Sequence, residues 1–196
     1  MSRKSTKTPF SSDKVYHVYN RGNNREKIFY SPSQCRLFLD LYQQYPGTLA
    51  ETYAYCLISN HFHFLIRVKN EVNGKQFVKE IRRWLIKYAM TVNREVNRRG
   101  HLFTRPINRI EITDEFYFKH LIRYIHYNPV KHGIAKRYDN YPYSSFRSYL
   151  SKNGNTIISK DIAMSFFNDD LLEFLDFHRI SPDETPINRF ILEEKG

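Results

Sequence analysis

The sequence lacks the features of secreted and membrane proteins. Its 196 residues contain only two cysteines, Cys35 and Cys56, far apart in the chain, which favours reduced thiols in a cytoplasmic protein over a disulfide scaffold. No window approaches 18 consecutive apolar residues, so no membrane span is predicted. The basic segment over residues 1–12 is followed by no apolar run. It is therefore expected to be a flexible N-terminus and not a signal peptide.

Positive charge is concentrated in the larger part of the chain. Residues 1–149 hold 26 Lys and Arg against 11 Asp and Glu, whereas residues 150–196 hold 5 against 9. An apolar content of 41% with 16% aromatic residues predicts a folded body. A basic body of this kind suits a polyanionic partner such as nucleic acid, although a generic basic surface is the alternative.

The element order predicts an α+β fold. Alternating apolar residues and turn signals indicate strands over 14–21, 48–59, 61–69 and 103–113, and helical spacing indicates helices over 31–45, 74–100 and 114–127. The last helix is expected to end there because residue 128 precedes a proline. The order β-α-β-β-α-β-α fits the ferredoxin-like split βαβ arrangement, an antiparallel sheet with helices on one face. The opposite face is expected to be open.

Two histidines mark the candidate site, in the stretch YAYCLISNHFHFLIRV. Because side chains alternate along a strand, His61 and His63 point one way and Phe62 the other. In the helix KHLIRYIHYNPVKHG, Tyr124 and Asn128 are four residues apart and share a face. If that helix packs beside the strand, two imidazoles, an amide and a phenol meet, as in a metal site with a nucleophile. Ordinary packing explains each pair separately.

Five motifs resemble one enzyme family. In chain order, they are YHVYNRGNNREKIF, NHFHFLI, GHLFTRPINRIEI, RYIHYNPVKHGI and YPYSSFRSYL. Together they are similar to the single-tyrosine HUH transposases of the insertion-sequence-200-like family, above all the REP-associated tyrosine transposases. The resemblance covers residues 13–150, which are expected to form the catalytic domain. Residues 151–196 are expected to form an acidic, partly helical extension with an amphipathic helix over 161–179.

The resemblance implies a function and a role for each matching residue. His61 and His63 match the metal-binding histidines, Asn128 the third ligand and Tyr124 the nucleophile, with Mg²⁺ or Mn²⁺ as the cofactor. The implied reaction is cleavage and rejoining of single-stranded DNA beside a hairpin, through a 5′-phosphotyrosine. Tyr127 is the rival nucleophile, and a monomer and a homodimer both remain open.

Candidate DNA contacts lie in three places. They are Arg21, Asn23 and Arg25 in the turn after the first strand, Arg82 and Arg83 on the long helix, and Arg105 and Arg109 near the last strand. Arginine and asparagine bind both phosphates and base edges. A plain turn and a solvated basic face are the alternatives.

Two functions other than strand transfer remain open. One is a domesticated protein that binds hairpin or single-stranded nucleic acid without cutting it. The other is an RNA-binding module that stacks bases on an open sheet. For the extension, one hypothesis is that its acidic face covers the basic DNA channel. The alternative is that it packs on the body and enlarges the core.

Overall fold

The computed structural model describes residues 8–151 and 157–180, which contain four strands and six α-helices. The strands are β1 (Val15–Arg21), β2 (Ala50–Ile58), β3 (His61–Val68) and β4 (Asn108–Ile112). The helices are α1 (Pro32–Gln44), α2 (Gly74–Glu95), α3 (Glu115–Lys131), α4 (Phe146–Leu150), α5 (Lys160–Ser165) and α6 (Leu171–Arg179). Among the described helices, none combines the length and the apolar character needed to cross a bilayer.

The four strands form one antiparallel sheet in the order β2-β3-β1-β4. The two βαβ units interleave, so the predicted ferredoxin-like fold is confirmed. The sequence also places β4 correctly at an edge of the sheet. The strand is shorter than the predicted 103–113, because Thr104–Ile107 run outside the ladder and the pairing with β1 starts at Asn108.

Helices α1 and α2 pack on one face of the sheet, as predicted. The Ser31 side chain accepts a hydrogen bond from the Gln34 amide and so begins α1, with Pro32 in its first turn. Five fully buried aromatic rings join both helices to that face, namely Phe38, Phe62, Phe64, Trp84 and Tyr88. Helix α2 ends at Glu95 and not at Gly100 as predicted, since Asn97, with a positive φ of 50°, leaves the helical conformation.

The opposite face of the sheet is covered, which contradicts the expectation of an open surface. Helix α3 and the short helices after it form a second core there with Ala54, Cys56 and Leu65 of the sheet. The cause is visible in β2 and β3, which are buried along most of their length on both faces. A strand covered on one side would expose alternate residues. The histidine face is therefore an interior, not a platform.

Helix α3 continues through Pro129 to Lys131, which corrects the predicted end at residue 127. Proline in a helix interior removes one hydrogen bond and disfavours the helical conformation of the preceding residue, at a cost of roughly 3 kcal/mol. Asn128 and Pro129 are both buried, so packing against the sheet offsets this cost. The extra turn keeps Asn128 on the same helix face as Tyr124.

The two ends of the described chain also differ from prediction. Phe10 is buried against Tyr16 and Phe77, so the flexible segment expected over residues 1–12 does not include residues 8–12. The amphipathic helix expected over 161–179 is divided into α5 and α6, because Asn168 and Asp169 have positive φ angles of 52° and 57°. Most of the SKNGN loop and residues 181–196 lie outside the described residues.

Helix α6 is attached to the back of α3. His126 Nδ1 and His178 Nε2 are 3.0 Å apart, and both side chains are buried. His178 Nδ1 donates to the Phe174 carbonyl, and His126 Nε2 accepts from the Ser145 hydroxyl. Every ring nitrogen of the two histidines therefore has a hydrogen-bond partner while both rings are neutral. Burial lowers the pKa of His178 to about 3, and burial beside His178 lowers the pKa of His126.

Acid should therefore weaken the fold. Below pH 6.5 the unfolded chain binds protons at these two histidines while the folded protein does not, so the free energy of unfolding falls towards pH 3. The slope is at most about 1.4 kcal/mol per pH unit for each histidine. Replacement of His178 by leucine should cost about 1–3 kcal/mol at pH 7.5, because it leaves the buried His126 N–H without an acceptor. Urea unfolding at several pH values measures both effects.

The matched control is His101→Asn, at an exposed histidine. It should retain the wild-type pH dependence, whereas His178→Leu should show a shallower one. Equal acid dependence in wild type and His178→Leu would contradict the buried pair.

Candidate active site

The register of the central strands places the candidate residues together. On β3, His61 lies opposite Arg21 of β1, and His63 lies opposite Tyr19. Phe62 and Phe64 enter the core below α1 and α2, so the predicted division of the two faces is confirmed. The histidines are 8% and 1% exposed. The two histidines lie on the sheet side of the candidate site, and α3 packs over them.

His61 is held between two amide groups. Its Nδ1 lies 2.8 Å from Asn60 Oδ1, and its Nε2 lies 3.1 Å from Asn128 Oδ1. A neutral imidazole has one N–H, so it can donate to only one of these oxygens. If Asn60 accepts that proton, the lone pair on Nε2 faces the oxygen of Asn128. The buried Asn128 Nδ2 has no hydrogen-bond partner in the part of the chain that the structure describes.

His63 is oriented by a third histidine that the sequence analysis missed. His17 on β1 is fully buried, and its Nε2 lies 2.9 Å from His63 Nδ1. The two ring planes are nearly parallel, with an interplanar angle of 13° and ring centroids 5.2 Å apart, as expected for an in-plane hydrogen bond between imidazoles. This contact fixes the rotamer of His63 and leaves its Nε2 as the nitrogen that can bind a ligand. The alternation of VYHVYNR contains the signal, since His17, Tyr19 and Arg21 share a face.

Helix α3 brings a phenol and a cation to the histidines. The Tyr124 ring lies edge-on to His63 with ring centroids 5.7 Å apart, and the residue is 1% exposed. One turn beyond Asn128, the Lys131 ammonium lies 5.0 Å from the centroid of the Tyr124 ring. The next residue, His132, lies edge-on to His61, with ring centroids 4.7 Å apart. The spacing 124, 128, 131 and 132 is one helix face.

The site holds its imidazoles in the neutral form. Burial, together with His132, lowers the pKa of His61 to about 3. Burial, together with the neighbouring His61 and His17, also lowers the pKa of His63. Neutral imidazole is the form that binds metal ions. Within residues 8–151 and 157–180, no three His, Cys, Asp or Glu side chains converge as a metal site. The oxygen nearest to the histidine pair is Asn128 Oδ1, 3.1 Å from His61 Nε2.

The rival tyrosine, Tyr127, and a further histidine of α3, His120, contact other parts of the protein. Tyr127 is half-buried, with its ring 6.2 Å from that of Tyr138. His120 contacts Arg123 and the ring of Phe116. Of the two tyrosines, Tyr124 is the one whose ring is seen edge-on to His63.

The structure separates the candidate DNA contacts into two groups. Arg21, Asn23 and Arg25 lie at or just after the end of β1 nearest His61, and Arg21 faces the same side as that histidine. The other four lie on the α2 side of the sheet or at the β4 edge, away from the histidines: Arg82, Arg83, Arg105 and Arg109. Arg83 pairs with Glu80, and Arg109 donates to the Thr8 carbonyl.

Within the described residues, no contact supports the hypothesis that the acidic face of the extension covers a DNA channel. Glu173 forms an ion pair with Lys119 of α3, and Asp176 pairs with Arg179 of its own helix. Phe167 and Phe174 meanwhile extend the second core. The described part of the extension therefore packs on the body, which is the alternative reading of the sequence.

Comparison with known proteins gives two matches. The chain is 30% identical over 109 residues to a Haemophilus influenzae protein named as a candidate REP-associated tyrosine transposase. That alignment covers 49% of this chain and 58% of the relative, so it spans little more than half of the relative's length. No model of a known protein family matches the chain.

The second match is a solved structure of a REP-associated tyrosine transposase bound to a REP hairpin. The TM-score is 0.58 at 18% identity, and the superposition covers 80% of this chain and 90% of the other. At this identity the match establishes the fold. The two comparisons together confirm the predicted resemblance to the REP-associated tyrosine transposases, and the chain shares their fold.

Proposed function

We propose that the protein is a metal-dependent endonuclease and strand transferase that acts on single-stranded DNA near hairpins. The observation that carries the proposal is the meeting of β3 and α3, where His61 Nε2 lies 3.1 Å from Asn128 Oδ1 and Tyr124 contacts His63. The resemblance to transposases of one family, one of them bound to a hairpin, supports this substrate class. The basic body suits that substrate.

The donor set fits a divalent cation. Two neutral imidazoles and one amide oxygen supply three ligands and leave positions open for substrate, as a catalytic site requires. His61, His63 and Asn128 would hold the ion, and His17 would orient His63. Mg²⁺ or Mn²⁺ is the proposed cofactor. When bound, it supplies polarisation of a phosphoryl group and neutralisation of developing negative charge.

Tyr124 is the proposed nucleophile. Its oxygen attacks a phosphodiester, a Tyr–O–P bond forms, and the bond from phosphorus to the 3′ oxygen breaks. The phenolic proton is lost, and the departing 3′ oxygen gains a proton and leaves as a hydroxyl. The linkage to the 5′ phosphate keeps the energy of a phosphodiester, so a later 3′ hydroxyl can reverse the step and join a new strand. Lys131, above the ring, favours negative charge on Tyr124 during the attack.

The burial of Tyr124 favours a second candidate. Because Tyr124 is only 1% exposed, its phenol cannot reach DNA unless α3 shifts or the DNA strand enters beneath α3. A protein that binds hairpin or single-stranded DNA without cutting could retain this packing unchanged. The two candidates differ in one product, a covalent protein–DNA linkage.

Covalent linkage should require Tyr124 and a metal ion. Incubation of wild type with labelled hairpin DNA that carries a single-stranded flank should give an adduct on a denaturing gel, in Mg²⁺ or Mn²⁺ and not in EDTA. The hairpins are taken from repeats beside the gene. Tyr124→Phe should abolish the adduct because it removes only the attacking oxygen.

Tyr127→Phe is the matched control and should retain the adduct. An adduct lost only in Tyr127→Phe would overturn the assignment of the nucleophile. If no adduct forms on a hairpin that the protein binds, the non-cutting candidate is correct.

Metal affinity should depend on His17 as well as on its ligands. Mn²⁺ should raise the melting temperature of wild type, and His63→Ala should remove the effect. His17→Asn should weaken Mn²⁺ binding by about 10- to 100-fold, because a partner that orients a ligating histidine contributes roughly that much. Titration calorimetry at pH 7.5 measures the affinity. Unchanged binding in His17→Asn, with His101→Ala as the control for histidine loss, would contradict the orienting role.

A further inference from the structure

A cavity of about 720 Å³ lies on the side of the sheet opposite the histidines, between α2 and the segment that leads to β4. Its walls are largely apolar and include Leu85, Ile86, Met90 and Phe103. Ile86 and Met90 are 52% and 60% exposed, which is high for large apolar side chains in a helix otherwise packed on the sheet. A cavity of this size accommodates a ligand as large as a nucleotide.

The charge around this cavity has one sign. Arg82, Arg105 and Arg109 line it, and no Asp or Glu is among the described residues that do so. Arg109 is engaged by the Thr8 carbonyl. Arg82 and Arg105 are exposed, and within the described residues neither forms an ion pair or a hydrogen bond. Two uncommitted guanidinium groups above an apolar floor are suited to phosphates whose attached bases lie on that floor.

We infer that this groove binds a segment of single-stranded DNA, with bases against the apolar walls and backbone phosphates on Arg82 and Arg105. The lining combines positive charge with apolar walls, and this combination favours a strand whose phosphates are charged and whose bases are flat and weakly polar. The inference rests on the proposed function for the identity of the strand, and it adds a binding site that does not take part in cleavage.

The end of β1 connects the groove with the proposed cleavage site. Asn20 lines the groove, where its Nδ2 donates to the Thr104 carbonyl. The next residue, Arg21, points to the other face and lies opposite His61. A DNA strand that leaves the groove around this end of the sheet meets Arg21 before it reaches the histidines. DNA bound in the groove would thus be anchored on one face and cut on the other.

Fluorescence anisotropy with fluorescein-labelled (dT)₁₅ tests the groove in the full chain that also carries Tyr124→Phe, so that no cleavage occurs. Arg82→Gln and Arg105→Gln should each weaken binding about five- to tenfold, and each should reduce the salt dependence by roughly 0.7 in the log–log slope, the value for one phosphate contact. A second probe replaces the central bases of (dT)₁₅ with abasic sites. It keeps every phosphate and should bind more weakly than (dT)₁₅.

Arg83→Gln is the matched control, because Arg83, although a candidate DNA contact from the sequence, does not line the groove and instead pairs with Glu80 and lies over the Tyr45 ring. It should leave affinity and slope unchanged. Equal affinity of wild type, Arg82→Gln and Arg105→Gln would overturn the inference and leave Ile86 and Met90 to a protein partner. Equal binding of the abasic probe would overturn the placement of bases in the groove.

The adduct assay separates this inference from the proposed function. If the groove is wrong, wild type still forms the Tyr124 adduct while the arginine variants bind (dT)₁₅ normally. If strand transfer is wrong, no adduct forms, yet the arginine variants still lose affinity.

Discussion

The contact between α3 and the second face of the sheet is the constraint on which the site depends. That face carries His17, His61 and His63, three imidazoles that would each hydrogen-bond to water if the sheet were open. Helix α3 replaces that water with Asn128, Tyr124 and apolar side chains, and burial lowers the pKa of His61 and of His63, which keeps these two rings neutral. The same contact offsets the cost of Pro129 in the helix. Loss of the packing would therefore disrupt the arrangement of the proposed ligands and their neutral protonation state together.

Helix α6 supports α3 from behind. The face of α3 that carries Lys119, Arg123 and His126 contacts α6, and the face that carries Tyr124 and Asn128 contacts the sheet. A helix fixed on two sides positions its side chains more accurately than one that lies on a surface. The acidic residue in this contact, Glu173, neutralises a lysine of α3. The extension thus contributes to the core that orders the candidate nucleophile.

The features that depend on residues close together in the sequence were predictable from it. Alternation along β3 separated His61 and His63 from Phe62, and the spacing of four joined Tyr124 to Asn128. The end of α3 was not predictable from the sequence. Residue 128 precedes a proline and so disfavours the helical conformation, but its burial, which depends on the tertiary fold, outweighs that preference. His17 was missed since its role follows from the pairing of β1 with β3, 46 residues away in sequence. The cover over the second face was not predicted, although the nearly continuous apolar run of β2 is the pattern of a strand that is buried on both faces.

The most direct test of the account is the position of a metal ion. Crystals of the protein soaked in Mn²⁺ and measured at the manganese absorption edge would show the ion by its anomalous scattering. The account predicts one peak bound by His61 Nε2, His63 Nε2 and Asn128 Oδ1, beneath α3 and next to Tyr124. A peak elsewhere with these three groups still in mutual contact, or no peak at saturating Mn²⁺, would contradict the claim that the covered face of the sheet is a metal-dependent active site.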